Sequence, residues 1–189
     1  MIRINFKTIL ILVLLLSILS NCCKTTYIRP SDWAKKINGL KLSDLYVLND
    51  SIYRSEQPGN IDFTLIESIG IKSVLSLREF HQDSDLINGL NLKLYNVKIN
   101  PYYFGDTEIV EALKILKNSP KPIVIHCNIG GDRTGVVVAI YRVIYQNWTK
   151  EKAIQEMKDG GYGFHWIFFN MPRYIKKVDI DIIKKKILN

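Results

Sequence analysis

Short, nearly continuous apolar runs that alternate with stretches of helical spacing predict an α/β fold, a central and mostly parallel sheet covered by helices on its faces. The runs Ile71 to Leu77, Leu92 to Ile99 and Pro122 to His126 read as strands buried on both sides, the habit of parallel sheets. Between and after them, apolar residues recur three and four positions apart, as helices that cover such a sheet require. The chain has 189 residues, 47% hydrophobic and 23% charged, which suits one globular domain with one core. It shows neither an internal repeat nor a low-complexity linker.

Taken in order, Leu45 to Leu48 and Ile52 to Ser55 predict a hairpin turning at Asn49-Asp50, and Gln57 to Asn60 ends the pair. Ile61, Leu65, Ile66 and Ile69 have helical spacing, and Gly70 stops that helix. The strand Ile71–Leu77 follows, then a polar stretch around His81-Gln82-Asp83, then the strand Leu92–Ile99. Asp106 is expected to cap a helix running to about Lys117, with Ile109, Val110, Leu113 and Leu116 inward and Glu108 in the first turn. The strand Pro122–His126 leads through a glycine-containing loop into an apolar helix from Thr134 to Tyr145. Thr149 caps another helix from Lys150, and one or more helices lie within Trp166 to Leu188. The series reads β-β-α-β-α-β-α-β-loop-α-α-α.

Residues 1–21 read as a signal peptide. Arg3 and Lys7 precede an apolar run from Ile9 to Leu16 that is short for a span of roughly 20 residues. Leu19-Ser20-Asn21-Cys22 resembles the lipobox of bacterial lipoproteins, with Asn21 departing from the pattern. Lipidation at Cys22, plain secretion and an uncleaved anchor are the three readings, with lipidation leading, and stable anchoring takes more than one acyl chain. The expected protein is exported and membrane-attached, periplasmic or at the cell surface. Residues 22–43 read as a tether and lead-in, and residues 44–189 as the folded domain.

The chain contains three cysteines, and Cys22 and Cys23 sit at the processing site, so Cys127 has no evident disulfide partner. The formal charge of +8, two units of which belong to Arg3 and Lys7, suits anionic partners. Lysine pairs such as Lys176-Lys177 are solvated faces, and no basic helix or aromatic-basic motif points to nucleic acid.

Val124-Ile125-His126-Cys127-Asn128-Ile129-Gly130-Gly131-Asp132-Arg133-Thr134-Gly135 sets a cysteine after a buried strand and an arginine before a buried helix. Ligands of α/β sheets bind at the carboxyl ends of strands, where the N–H groups of a curled loop and a helix N-terminus favour an anion. A tetrahedral phosphate fits such a cup. An ordinary thiol, with a pKa of about 8.5, is mostly protonated at neutral pH, and those dipoles plus a guanidinium favour the nucleophilic thiolate of Cys127. Arg133 holds two phosphate oxygens in its planar fork, Thr134 can donate its hydroxyl to the departing sulfur, and His126 either orients the loop or helps acidify the thiol. Asn128, Ile129, Gly130, Gly131, Asp132 and Arg133 line the cup, and Gly130 and Gly131 let the backbone approach closely.

His126-Cys127, five residues, then Arg133-Thr134-Gly135 resembles the signature of the protein tyrosine and dual-specificity phosphatases. Ile52 to Pro58 and Ile69 to Arg78 are similar to the opening segment of compact, atypical dual-specificity enzymes, so the resemblance covers about residues 45 to 175. It implies their α/β fold, a two-step reaction through phosphocysteine without metal or other cofactor, and a phosphorylated protein or small phosphate ester as substrate. Leaving-group protonation needs a carboxylic acid. Asp106 follows the segment Asn100 to Gly105, where the family carries its acid loop. Asp132 lies inside the phosphate loop, as in a bacterial and lipid-active subgroup in which this aspartate has been suggested to act. Glu56, Asp62, Asp83 and Asp85 read as surface groups, and the glycine-aromatic stretch Gly160 to Trp166 reads as aromatic packing at a glycine turn, with packing near the phosphate loop as its alternative. The alternatives are a phosphoinositide or inositol phosphate phosphatase, which would want more cations in the loop, an inactive phosphate-binding module, and a rhodanese-type sulfurtransferase.

Overall fold

A computed structural model describes residues 28–38, 42 and 44–189. The signal peptide, Cys22 and part of the tether (residues 22–27, 39–41 and 43) lie outside the described residues. The chain divides into two units, Met1–Ser31 and Asp32–Asn189. The described part of the first, residues 28–31, carries no helix or strand.

The second unit is an α/β sandwich. Its strands are β1 (Lys35–Lys36), β2 (Tyr46–Asn49), β3 (Ile52–Ser55), β4 (Ser73–Ser76), β5 (Lys93–Asn96) and β6 (Ile123–His126), in the sheet order β1-β2-β3-β6-β4-β5. β3, β6, β4 and β5 run parallel, and β1 and β2 join antiparallel at one edge. The helices are α1 (Asn60–Ser68), α2 (Asp106–Asn118), α3 (Arg133–Tyr145), α4 (Lys150–Asp159), α5 (Asn170–Lys177) and α6 (Ile180–Leu188). The mostly parallel sheet is therefore the one expected. Between β4 and β5 the expected helix is absent, and the polar stretch holds one 3-10 turn, Ser84–Leu86.

All four residues of β6 are buried. Ile123 and Ile125 join the larger core with Ile109, Leu113, Val137 and Ile140 of α2 and α3. Val124 points the other way, into a smaller core with Phe63, Ile66 and Val74. The alternation along one strand thus feeds two layers of packing, which fixes the end of β6 rigidly.

Three local readings change. Helix α1 buries Phe63 and Ile66, whereas Ile61 is 68% exposed, because the helix starts at Asn60 with Gly59 as its cap and Asp62 accepting the Gly59 N–H at 2.8 Å. Asp106 does not cap α2. Gly105 does, and its N–H is satisfied by Glu108 Oε2 at 2.9 Å. The packed unit also reaches into the stretch read as lead-in: Trp33 and Ala34 are buried, and Lys35 pairs with Val47. Thr149 caps α4 through Lys152 N–H, as its sequence predicts.

Candidate active site

Strand β6 ends at His126, so Cys127 stands at the carboxyl end of a central parallel strand. Its thiol is free and buried, and Sγ accepts the Gly130 N–H at 3.3 Å. The chain from Asn128 to Asp132 curls over this point, and α3 begins at Arg133.

The loop is held from three sides. Gln57 N–H donates to the Asn128 carbonyl at 3.0 Å, and the Arg54 guanidinium donates to the Gly130 carbonyl at 2.6 Å. Arg54 is buried in β3, stacked with its carbon centre 3.6 Å from the Tyr162 ring centroid. Burial pushes its pKa down, against the favourable fields of Tyr162, Glu156 and Cys127. Gly130 has φ +81°, and a Cβ there would lie 2.5 Å from the Ser55 carbonyl oxygen. At Gly131 a Cβ would meet the Gly163 backbone at 2.5 Å. The Gly160 to Trp166 stretch therefore forms one wall of the loop.

His126 is fully buried beneath it. Its Nδ1 lies 3.2 Å from the Cys127 carbonyl and its Nε2 2.8 Å from Asp83 Oδ2. Asp83 is 5% exposed, so its reading as a surface group is wrong. Its place in a polar, turn-like stretch hides the fact that the stretch folds back under the sheet end. Burial raises the Asp83 carboxyl, but the hydrogen bond and charge of His126, with Gln57 and His81 behind it, hold its pKa below the usual carboxylate range.

Arg133 Nε and Thr134 Oγ1 are buried without a hydrogen-bond partner among the described residues. Asp132 is buried at 7% exposure and does not cap α3 with its side chain. Oδ1 accepts the His165 N–H at 2.8 Å, and Oδ2 lies 2.8 Å from His165 Nδ1. Asp106 opens α2. Its carboxylate accepts Tyr174 OH at 2.9 Å and Lys186 Nζ at 3.1 Å, partners on α5 and α6. Burial, then Asp106 itself, pushes the Tyr174 hydroxyl pKa up.

The structure thus brings Cys127, His126, Asp132, Arg133 and Thr134 to one loop with Asn128, Ile129, Gly130 and Gly131. Sequence reasoning missed Arg54, Asp83 and His165. An arginine inside a strand that pairs with β6 was the one available signal, since burying that charge demands a partner. Ile129 in the loop is 38% exposed and Trp166, next to His165, is 84% exposed, while Tyr102 packs edge-on against Phe168 at 5.2 Å. No group of three His, Cys, Asp or Glu side chains suited to a metal occurs among the described residues.

A reactive-type cysteine and an arginine fork on one strand-loop-helix turn of a parallel sheet define a cysteine-based phosphatase. The sequence profile of the tyrosine phosphatase family matches residues 40–188, and the chain belongs to that family. It is 25% identical over 173 residues to the dual specificity protein phosphatase TpbA of Pseudomonas aeruginosa, spanning 89% of this chain and 77% of that protein. The crystal structure of TpbA superposes with a TM-score of 0.76 at 25% identity, over 86% of this chain and 100% of the other. Inositol diphosphatase SIW14 of Saccharomyces cerevisiae is 32% identical over 144 residues, 71% of this chain and 50% of that protein. Its catalytic core superposes with a TM-score of 0.60 at 30% identity, over 71% of this chain and 84% of the other. These likenesses place the chain among atypical dual-specificity-like phosphatases.

Proposed function

We propose that the protein hydrolyses phosphate monoesters, with phosphotyrosine-containing proteins or small aromatic esters as its substrate class, by way of a phosphocysteine at Cys127. The observation that carries this reading is the buried Cys127 Sγ receiving a loop N–H while Arg133 opens the following helix. In the first step Cys127 Sγ forms a bond to phosphorus as the ester oxygen leaves with a proton, and Arg133 follows the equatorial oxygens. In the second, water gives its proton to the carboxylate that served as the acid and displaces the sulfur, which leaves as a thiolate accepting a hydrogen bond from the Thr134 hydroxyl. Asp132 is the better-placed acid of the two candidates, because it lies in the loop itself, directly before Arg133, whereas Asp106 belongs to the start of α2.

The uncharged Asn128 and Ile129 and the exposed Trp166 support an aromatic ester over a polyanion. The 32% identity to an inositol diphosphatase supports a second reading, a diphosphoinositol phosphate as substrate. Hydrolysis of p-nitrophenyl phosphate by the full chain, with chelator present, tests the activity: turnover should vanish in Cys127→Ser and Arg133→Ala. Competition between a phosphotyrosine peptide and a diphosphoinositol polyphosphate then decides the class. The leader sequence supports an exported enzyme tethered to the membrane through Cys22, and recovery of an unprocessed N-terminus from the cytosol would defeat that.

A further inference from the structure

The ring of His126 has no exposed surface, and each nitrogen faces an acceptor. The Cys127 carbonyl, 3.2 Å from Nδ1, can only accept a hydrogen bond, and the Asp83 carboxylate, 2.8 Å from Nε2, is an acceptor when ionised. Both contacts are hydrogen bonds only when both ring nitrogens donate, as they do in an imidazolium. Such a cation, sealed from water, keeps its charge only beside a fixed anion. Asp83 is that anion, and it is itself fixed: Gln57 Nε2 donates to Oδ1 at 2.8 Å, and Arg78 Nη1 donates to Gln57 Oε1 at 2.9 Å. His81 Nε2 lies 3.4 Å from the same Oδ1, and Cys127 lies on the other side of the ring. Among the described residues, His81, Arg78 and Cys127 are the titratable or charged groups that these contacts set around the pair.

We propose that Asp83 is a positioning residue, which holds His126 doubly protonated against the Cys127 carbonyl and through that cation favours the Cys127 thiolate. The inference rests on Cys127 being the nucleophile of the proposed reaction. It assigns a role to a residue far from the signature loop in sequence, 43 positions before His126. Asp83 touches neither sulfur nor phosphate. Its effect passes entirely through the imidazole.

The test is the pH profile of Cys127 alkylation by iodoacetamide in the full chain, which needs no turnover and so separates this inference from the phosphatase reading. Asp83→Asn keeps the shape and removes the charge. Alkylation should fall about tenfold near pH 6 and approach the wild-type rate near pH 9, where the thiol ionises without help. Asp83→Glu should restore much of the low-pH rate. In a His126→Gln background, Asp83→Asn should add no further pH-dependent loss. A loss equal at all pH values, or none, overturns the proposal, as does an undiminished effect without His126. Should Asp83→Asn fail to fold by circular dichroism, Gln57→Ala, which only loosens the carboxylate, should give a smaller loss confined to low pH. An unchanged profile in that variant also overturns it.

Discussion

At Gly130 the backbone sits in the left-handed region with the Ser55 carbonyl where a Cβ would go. Both constraints act on the residue whose N–H reaches Cys127 Sγ and whose carbonyl takes the Arg54 fork. Gly130→Ala therefore has to lift the loop from β3, and it should cost about 1–3 kcal/mol of strain. Its effect on kcat/KM for p-nitrophenyl phosphate should be at least about a hundredfold, since one preorganised donor is worth that much. Steady-state kinetics beside a urea melt separates the two losses. Asp83 adds a pH dependence of stability. Its folded pKa lies below the unfolded one, so its contribution is present above the ordinary carboxylate range, about pH 4, and is lost as pH falls through the folded value. Urea midpoints of wild type should drop more steeply below about pH 4 than those of Asp83→Asn, whose stability lacks that term at any pH.

Between elements, the wall formed by Gly160 to Trp166 matters because it meets the loop through backbone packing at Gly131, through Gly163 against Ile129 and through the two bonds from His165 to Asp132. If Asp132 supplies the leaving-group proton, Asp132→Asn should lower kcat about 10²–10⁴-fold, and more for phenyl phosphate than for p-nitrophenyl phosphate, whose leaving group needs less help. Asp106→Asn should stay within a few-fold on both esters, as it disturbs only the contacts with Tyr174 and Lys186. A leaving-group-dependent loss in Asp106→Asn instead would return the role to that residue. The elements differ in how plainly the sequence announces them. The strand-loop-helix at 123–145 is legible because its residues are contiguous and each type has one chemical use there. Helix α1 is legible as a helix but not in its buried face, because an exposed Ile61 obeys the same spacing as a buried Ile66. The wall and the Asp83 stretch are illegible for a different reason: their partners are 33 and 43 residues away, and nothing local in Gly163 or Asp83 names them.

Across the whole packed unit, one buried carboxylate ties together segments that span most of the chain. Glu156 of α4 is 1% exposed, and its two oxygens receive the Arg142 guanidinium of α3. Oε1 also accepts the Ala34 N–H at 2.7 Å and the Tyr162 hydroxyl at 3.1 Å. Tyr162 in turn stacks on Arg54, the residue that grips the loop. Glu156 stands among the charges of the polar helix Lys150–Asp159, and its buried oxygens meet partners from Ala34, 122 positions away, as well as from Arg142 and Tyr162. Removing one partner of a buried pair leaves the other charge unpaired in a site built to hold both, which costs about 3–5 kcal/mol. That is a large share of the 5–15 kcal/mol typical of a domain. Glu156→Ala should therefore lower the urea midpoint strongly, with Arg142→Met alone doing the same, and the double variant should cost much less than the sum. Because Glu156 reaches the loop only through Tyr162 and Arg54, activity per folded molecule should fall less than stability does. Additive losses in the double variant would show that Arg142 and Glu156 act independently and that the junction is not a single energetic unit.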